Sequence, residues 1–155
     1  MSEEKDNAGI ITHPPVFYVV GLLAAIGLNY IYPLSFGEFE LARPLSYIIL
    51  LIGVVVFILA GMTFGKNKQS PSVHATSVKI YTGGIYAYSR NPIYLAASLF
   101  MVFASLYFDN VWILVMLIPI FYIMTSLVIK KEESYLENKF GDQYRDYKKK
   151  VRPWI

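Results

Sequence analysis

The sequence predicts an all-α integral-membrane bundle of four transmembrane helices, followed by cytoplasmic amphipathic helices at the C-terminus. Three observations carry this. Of 155 residues, 55% are hydrophobic and 16% charged, against roughly 25% charge in an ordinary soluble domain. Four stretches, 14–32, 44–64, 92–108 and 111–129, contain no Asp, Glu, Lys or Arg. Lys and Arg are concentrated in the segments that fall on one side of these stretches.

Residues 1–13 form a leader that holds Glu3, Glu4 and Asp6 against Lys5 alone. Its acidity and the absence of a small-residue cleavage site argue against a cleaved signal peptide. Each charge-free stretch then has about the length that crosses some 30 Å of hydrocarbon as a helix, and each is too long and uniform for a barrel strand. Helices 1 and 2 occupy 14–64, a loop occupies 65–91, and helices 3 and 4 occupy 92–129. Small residues suit close helix packing: Gly21, Ala24, Ala25 and Gly27 in the first span, Gly53, Ala60 and Gly61 in the second, Ala96, Ala97, Ala104 and Ser105 in the third. Pro119 is expected to kink the fourth. Tyr30, Tyr32, Tyr107 and Trp112 fall near span ends, where amphipathic rings prefer the interface.

The leader has one Lys, the 65–91 loop four Lys and Arg, and the tail from residue 130 eight, whereas the opposite side has only Arg43. The positive-inside rule places both termini and the loop in the cytoplasm. The whole chain, 1–155, reads as one membrane domain. It has no cysteine and only His13 and His74, so disulfides, thiolate chemistry and S-lipidation are excluded and no metal site is expected. Nothing points to nucleic acid. The spans carry no ionisable acid or base, which argues against a pump or ion-coupled transporter.

Chemistry therefore belongs to the two polar segments. In the loop, 66–72 is polar and reads as flexible, but 80–94 (IYTGGIYAYSRNPIY) holds four tyrosines and a Gly-Gly pair that permits close approach of a ligand. Pro92 suits the first turn of helix 3, and Asn91 its N-cap. Arg90 sits beside that helix start, where free N–H groups favour an anion. As an alternative it is a snorkelling interface anchor. In the tail, 130–155, Glu132, Tyr135 and Leu136 share one helical face, Gly141 ends that helix, and 142–151 places Tyr144, Tyr147 and Val151 on one stripe with basic residues opposite. That second helix has the alternative role of an amphipathic helix on anionic lipid. Glu132 and Glu133, at the cytoplasmic end of a span, require a cationic partner from the protein or from a ligand.

Gly84, Tyr86, Tyr88, Ser89, Arg90, Asn91, Pro92, Tyr94 and Leu95 resemble the G-P-Y-x-Y-x-R-[HN]-P-x-Y-x-G signature of the isoprenylcysteine carboxyl methyltransferase family, whose core the phospholipid methyltransferases share. Glu132-Glu133, Leu136, Phe140-Gly141, Tyr144, Tyr147, Val151 and Arg152 resemble its ending. The resemblance covers 80–155. Ile85 stands at the pattern's proline, Asn91 at the histidine of the eukaryotic form, and Ala96 at its glycine. Asn91 keeps hydrogen-bonding capacity without a titrating imidazole.

The resemblance implies an integral-membrane, S-adenosylmethionine-dependent methyltransferase without a Rossmann domain, set in a bacterial or archaeal cell membrane, with its cofactor at the cytoplasmic face. Gly84, Tyr86, Tyr88, Arg90, Asn91, Pro92, Tyr94, Glu132 and Glu133 are the expected cofactor contacts, with Arg90, Glu132 and Glu133 as the catalytic group. Arg90 suits the cofactor's carboxylate, a glutamate its ammonium, and a tyrosine its adenine or sulfonium. Arg152 and Tyr144 are weaker candidates for holding substrate. The partners are the bilayer and a lipophilic methyl acceptor, expected to be a carboxylate or another small O, S or N group. Alternatives are N-methylation of a phospholipid amine, or a non-catalytic scaffold or transporter subunit.

Overall fold

A computed structural model describes residues 13–66 and 79–155, with side chains of the second helix described to Thr63. The acidic leader, His74 and most of the polar 66–72 stretch lie outside the described residues. Helix α1 spans Pro14–Ile31, α2 Ala42–Lys66, α3 Pro92–Tyr107, α4 Val111–Ile123, α5 Lys130–Phe140 and α6 Asp142–Lys150. The described residues contain no strand.

Three helices are long and apolar enough to cross a membrane: Pro14–Ile31, Ala42–Thr63 and Val111–Phe140. The sequence led us to expect four. The missing one is α3, whose 16 residues reach only about 24 Å at the helical rise. Proline starts it at Pro92, and a tight turn at Phe108, Asp109 and Asn110 stops it. Asp109 adopts φ +51° there, and the Asn110 side chain caps α4 by accepting the Trp112 N–H at 3.1 Å.

Helices α1 and α2 bury little of themselves, 22% and 17% of their most apolar windows. Val19, Val20, Leu23 and Ile26 on α1 face outward, as do Leu51, Val55, Ile58 and Met62 on α2. An apolar surface of this extent belongs in lipid. Helix α2 packs along α3, α1 along α4, and α3 also touches α4 and α1. Tyr18, Ala25, Met101, Ile113, Leu117, Ile120, Met124 and Val128 make the shared core.

In lipid the hydrophobic effect no longer drives helices together, so close packing must do so. Gly21 lies under Ile120, and Gly53 under Phe100 and Leu99, each with no room for a Cβ. Ala25, Ala60, Ala96 and Ser105 are likewise buried, whereas Ala24, Gly27 and Gly61 face outward. At Gly27 and Gly61 an added Cβ would meet nothing within 4 Å.

At one end of the bundle the 32–41 connection docks on the α3–α4 turn. Val111 N–H donates to Leu34 O at 2.9 Å, Phe36 N–H to Asp109 Oδ1 at 2.8 Å, and Trp112 Nε1 to Tyr32 O at 2.8 Å. Arg43 sits 5.5 Å from the centre of the Tyr107 ring. At the other end, α4 and α5 are joined by a π-helical segment, Met124–Ile129. The Lys130 N–H reaches back five residues to Thr125 O. Each extra residue in such a turn rotates the downstream helix about its axis, so this segment sets the direction in which α5 presents its glutamates. Gly141 then turns the chain at φ +57°, ψ −130°, a conformation open essentially to glycine alone. The turn brings Tyr144, Tyr147 and Val151 onto Ile80, Leu136 and Phe140. The aromatic stripe of α6 thus meets protein and not lipid.

A paired substitution tests the packing account. Gly53→Ala forces a Cβ to within 2.9 Å of the Phe100 ring and should destabilise the protein in detergent by about 1–3 kcal/mol. Gly61→Ala meets nothing and should leave the melting temperature equal or higher. Equal losses in the two variants would contradict it.

Candidate functional site

The site begins with a single turn of 3-10 helix, Gly84–Ala87. It buries Tyr86, whose carbonyl accepts the Tyr147 hydroxyl at 2.6 Å. The chain then passes through buried Ser89 to Arg90, Asn91 and the start of α3. The C-terminal residues lie alongside: Arg90 N–H donates to Arg152 O at 3.1 Å, and Asn91 Nδ2 to Pro153 O at 2.9 Å. Asn91 holds the N-cap position, but its side chain makes no capping bond. It is spent on the C-terminal backbone, and the Ser89 hydroxyl accepts the Asn91 N–H instead, at 3.2 Å.

The Arg90 side chain is only 7% exposed, and its Nη1 lies 2.8 Å from Glu133 Oε1. A snorkelling anchor would reach water, so that alternative fails. Glu133 is also engaged through its second oxygen, 3.0 Å from Lys148 Nζ, and the same ammonium lies 2.6 Å from Glu137 Oε1. The cationic partners of Glu133 thus come from the protein. The Arg90–Glu133 approach is close but not aligned as a hydrogen bond: Nε and Nη1 of Arg90 are buried with no hydrogen-bond partner. Such N–H groups are costly to leave unpaired.

Glu132 differs. Its Oε1 accepts the Tyr94 hydroxyl at 3.0 Å, and no cation pairs with it among the described residues. Its carboxyl is pushed up from 4.5 to about 7, by burial first and by the neighbouring charge of Glu133, with the Tyr94 bond opposing. Lys130 and Lys131 precede it, so it stands just beyond the apolar part of the rod. Tyr94 is fixed in turn from α1: the Tyr18 hydroxyl donates to Tyr94 O at 3.1 Å and lies 3.2 Å from Ser98 Oγ.

The structure therefore gathers Arg90, Tyr94, Glu132 and Glu133 at one end of the bundle, with Pro92 starting the helix that carries Tyr94. Other expected contacts are placed elsewhere. Tyr88 is 75% exposed and Gly84 is exposed in the 3-10 turn. Arg152 contributes a backbone carbonyl while its side chain is exposed. Tyr144, by contrast, stays beside the site: it is buried in the α6 cluster next to Arg90 and Glu133, and burial, then the charge of Glu133, raises its hydroxyl to about 12. Sequence reasoning missed Tyr18, Ser98 and Lys148. Lys148 stands in a three-lysine run whose neighbours are surface charges, and Tyr18 in a span with no polar pattern; only the α6 stripe hinted that Lys148 borders the packed face.

The pattern of the family described as phospholipid methyltransferase matches residues 41–143. The chain belongs to that family. Membership, with the apolar helices, indicates a methyltransferase of the membrane. The chain is 38% identical over 63 residues to an uncharacterised protein of Haemophilus influenzae, covering 41% of this chain and all of that protein. It is 33% identical over 72 residues to the protein-S-isoprenylcysteine O-methyltransferase of Schizosaccharomyces pombe, covering 46% of this chain and 30% of that enzyme. No solved structure matches it significantly. The family stretch includes Arg90, Tyr94, Glu132 and Glu133. Tyr18, Lys148 and the C-terminal segment 151–155 lie outside it.

The two glutamates should behave oppositely. Below pH 4.5 the Glu132 carboxyl is protonated whether the chain is folded or not. As pH rises toward 7 the unfolded chain ionises first, and the fold loses that difference. Glu132→Gln should therefore gain stability relative to the parent between pH 5 and pH 8. Glu133→Gln strands the Arg90 cation and should cost on the order of 3 kcal/mol across that range. Thermal melts at both pH values check this; a pH-independent effect of Glu132→Gln would overturn the assignment.

Proposed function

We propose that this family member transfers a methyl group from S-adenosylmethionine to a lipophilic or amphiphilic acceptor at the cytoplasmic edge of the membrane. The observation that carries the reading is the buried Arg90 guanidinium, whose Nε has no hydrogen-bond partner, beside the buried Glu132 carboxyl, with which no cation pairs among the described residues. A ligand with a carboxylate and a cationic centre satisfies both at once, and this cofactor has both. Arg90 would hold the carboxylate through its planar fork, and Glu132 would face the cationic part. When bound, the cofactor supplies an electrophilic methyl group on a sulfonium.

The chain's own part is positional. Glu133, fixed by Lys148, holds Arg90 in place through Nη1 and leaves its Nε–H free. Tyr94, fixed by Tyr18, holds Glu132. The buried Tyr86, Tyr144 and Tyr147 close the site from the side of α6 and limit water. Orientation of this kind is where a displacement gains most of its rate.

The sequence favoured a carboxylate acceptor, which needs no base. Glu132 supports a second reading, an amine acceptor. A carboxyl that titrates near 7 is matched to removing a proton at neutral pH.

The same reading takes α3 as a fourth span despite its length. Its ends lie level with those of its neighbours, Tyr94 against Tyr18 and Glu132 at one end, Tyr107 against Arg43 and Tyr47 at the other. The helices then alternate in direction, and the excess of Lys and Arg puts the site end in the cytoplasm.

Equilibrium binding of labelled S-adenosylmethionine to the purified, detergent-solubilised protein is the test. The parent should bind. Arg90→Lys keeps the charge and loses the fork, and should weaken binding by about 1.5–3 kcal/mol. Incubation with labelled cofactor and a lipid extract then shows which molecule gains the methyl group. A parent that does not bind the cofactor, or an Arg90→Lys variant that binds as tightly as the parent, would refute the proposal.

A further inference from the structure

Residues 151–155 do more than follow α6. Arg152 O accepts the Arg90 N–H at 3.1 Å. Pro153 O accepts two side chains, Asn91 Nδ2 at 2.9 Å and Ser89 Oγ at 3.4 Å. Trp154 then packs edge-on against Phe121, with ring centres 4.7 Å apart, and its Nε1 donates to Thr125 Oγ1 at 3.3 Å. Thr125 belongs to the π-helical segment and supplies the carbonyl that the Lys130 N–H reaches. One short segment therefore grips both halves of the site: the backbone that carries Arg90, and the irregular turn that aims Glu132 and Glu133.

We propose that residues 151–155 are a strap that fixes the Arg90 guanidinium relative to the two glutamates, and that Asn91 and Trp154 are positioning residues acting through it. The proposal rests on the site holding the cofactor, and it adds two things. Position 91 works by donating an N–H to the strap, so acid–base chemistry is not its task. Trp154, outside the family stretch, determines how well the cofactor is held.

The geometry explains why a strap is needed. Arg90 precedes α3 and the glutamates come after the π segment, so no continuous helix links them. Their relative placement depends on side-chain contacts across a gap, where a displacement of about 1 Å costs up to a hundredfold in function. The strap supplies hydrogen bonds to main chain on one side and an aromatic wedge on the other.

The test uses the full-length protein and two independent readouts. The first is hydrogen exchange without cofactor. Asn91→Ala and Trp154→Ala should each speed exchange at the amides of 89–91 and of 124–130 together, leaving α1 unchanged. The second is binding of labelled S-adenosylmethionine. Both variants should bind about tenfold more weakly. Asn91→His restores an N–H donor and should recover most of the loss, and Trp154→Phe should recover the part due to ring packing. In a Trp112→Phe background, which leaves Trp154 as the sole tryptophan, cofactor binding should shift its emission.

Exchange that rises only at the mutated side of the strap would overturn the proposal. So would unchanged affinity in a variant whose strap has loosened, or failure of Asn91→His to recover binding. If the parent binds no cofactor, the functional reading falls, and the exchange experiment still decides whether the strap couples the two halves.

Discussion

The contact on which the rest depends is the buried pairing of Arg90 with Glu133. Two charges withdrawn from water at a membrane edge are costly, and a pair of this kind rarely adds net stability over well-packed apolar residues. Its geometry explains why it is worth keeping. The guanidinium is held by charge at 2.8 Å while its Nε and Nη1 remain without hydrogen-bond partners. Lys148 takes the other oxygen of Glu133, so the pair is locked, and among the described residues Glu132 is the one glutamate of the two with no cation. The arrangement sets one buried guanidinium beside two consecutive glutamates, one paired with it and the other bonded to Tyr94.

Holding this pair requires most of the chain. The turn at 84–87 and the start of α3 bring Arg90. The π segment rotates α5 so that Glu133 meets Arg90 and Glu132 meets Tyr94. Gly141 folds α6 back to deliver Lys148 and to seat Tyr147 on the Tyr86 carbonyl. Helix α1, which lies outside the family stretch, contributes Tyr18 as the support of Tyr94. The lipid-facing bundle is a platform whose far end is tied off by polar contacts at Asp109, Asn110 and Trp112, while Arg90 and the two glutamates gather at the near end.

Much of this was legible in the sequence. Charge-free runs place α1, α2 and the start of the α4 rod within a few residues, because burial of charge in lipid is costly; the rod itself continues to Phe140. The glycine and the aromatic stripe of the tail place α5 and α6. Arg90 and the glutamates stand out since charges beside a span need partners. Other features were not legible, for physical reasons. The π segment leaves no mark in MTSLVI, whose apolar character suits any helix. Tyr88 and Tyr94 look alike in the sequence, yet Tyr88 is exposed whereas Tyr94 bonds Glu132. Lys148 is one of three consecutive lysines, and only the fold of α6 separates it from its neighbours. The role of Asn91 depends on a carbonyl 62 residues away, beyond any local pattern.

The Nε–H of Arg90, buried without a hydrogen-bond partner, is the group that would meet an anion. Nitrogen-15 spectroscopy of arginine side chains observes it directly. The chain has only Arg43, Arg90, Arg145 and Arg152, and the Arg90 Nε–H signal is assigned by its disappearance in Arg90→Lys. Titration with S-adenosylmethionine should move that signal alone, downfield, with slowed exchange, as a carboxylate accepts it. An Arg90 signal that stays in place while the cofactor binds would contradict the account, and would put the anion site on other donors.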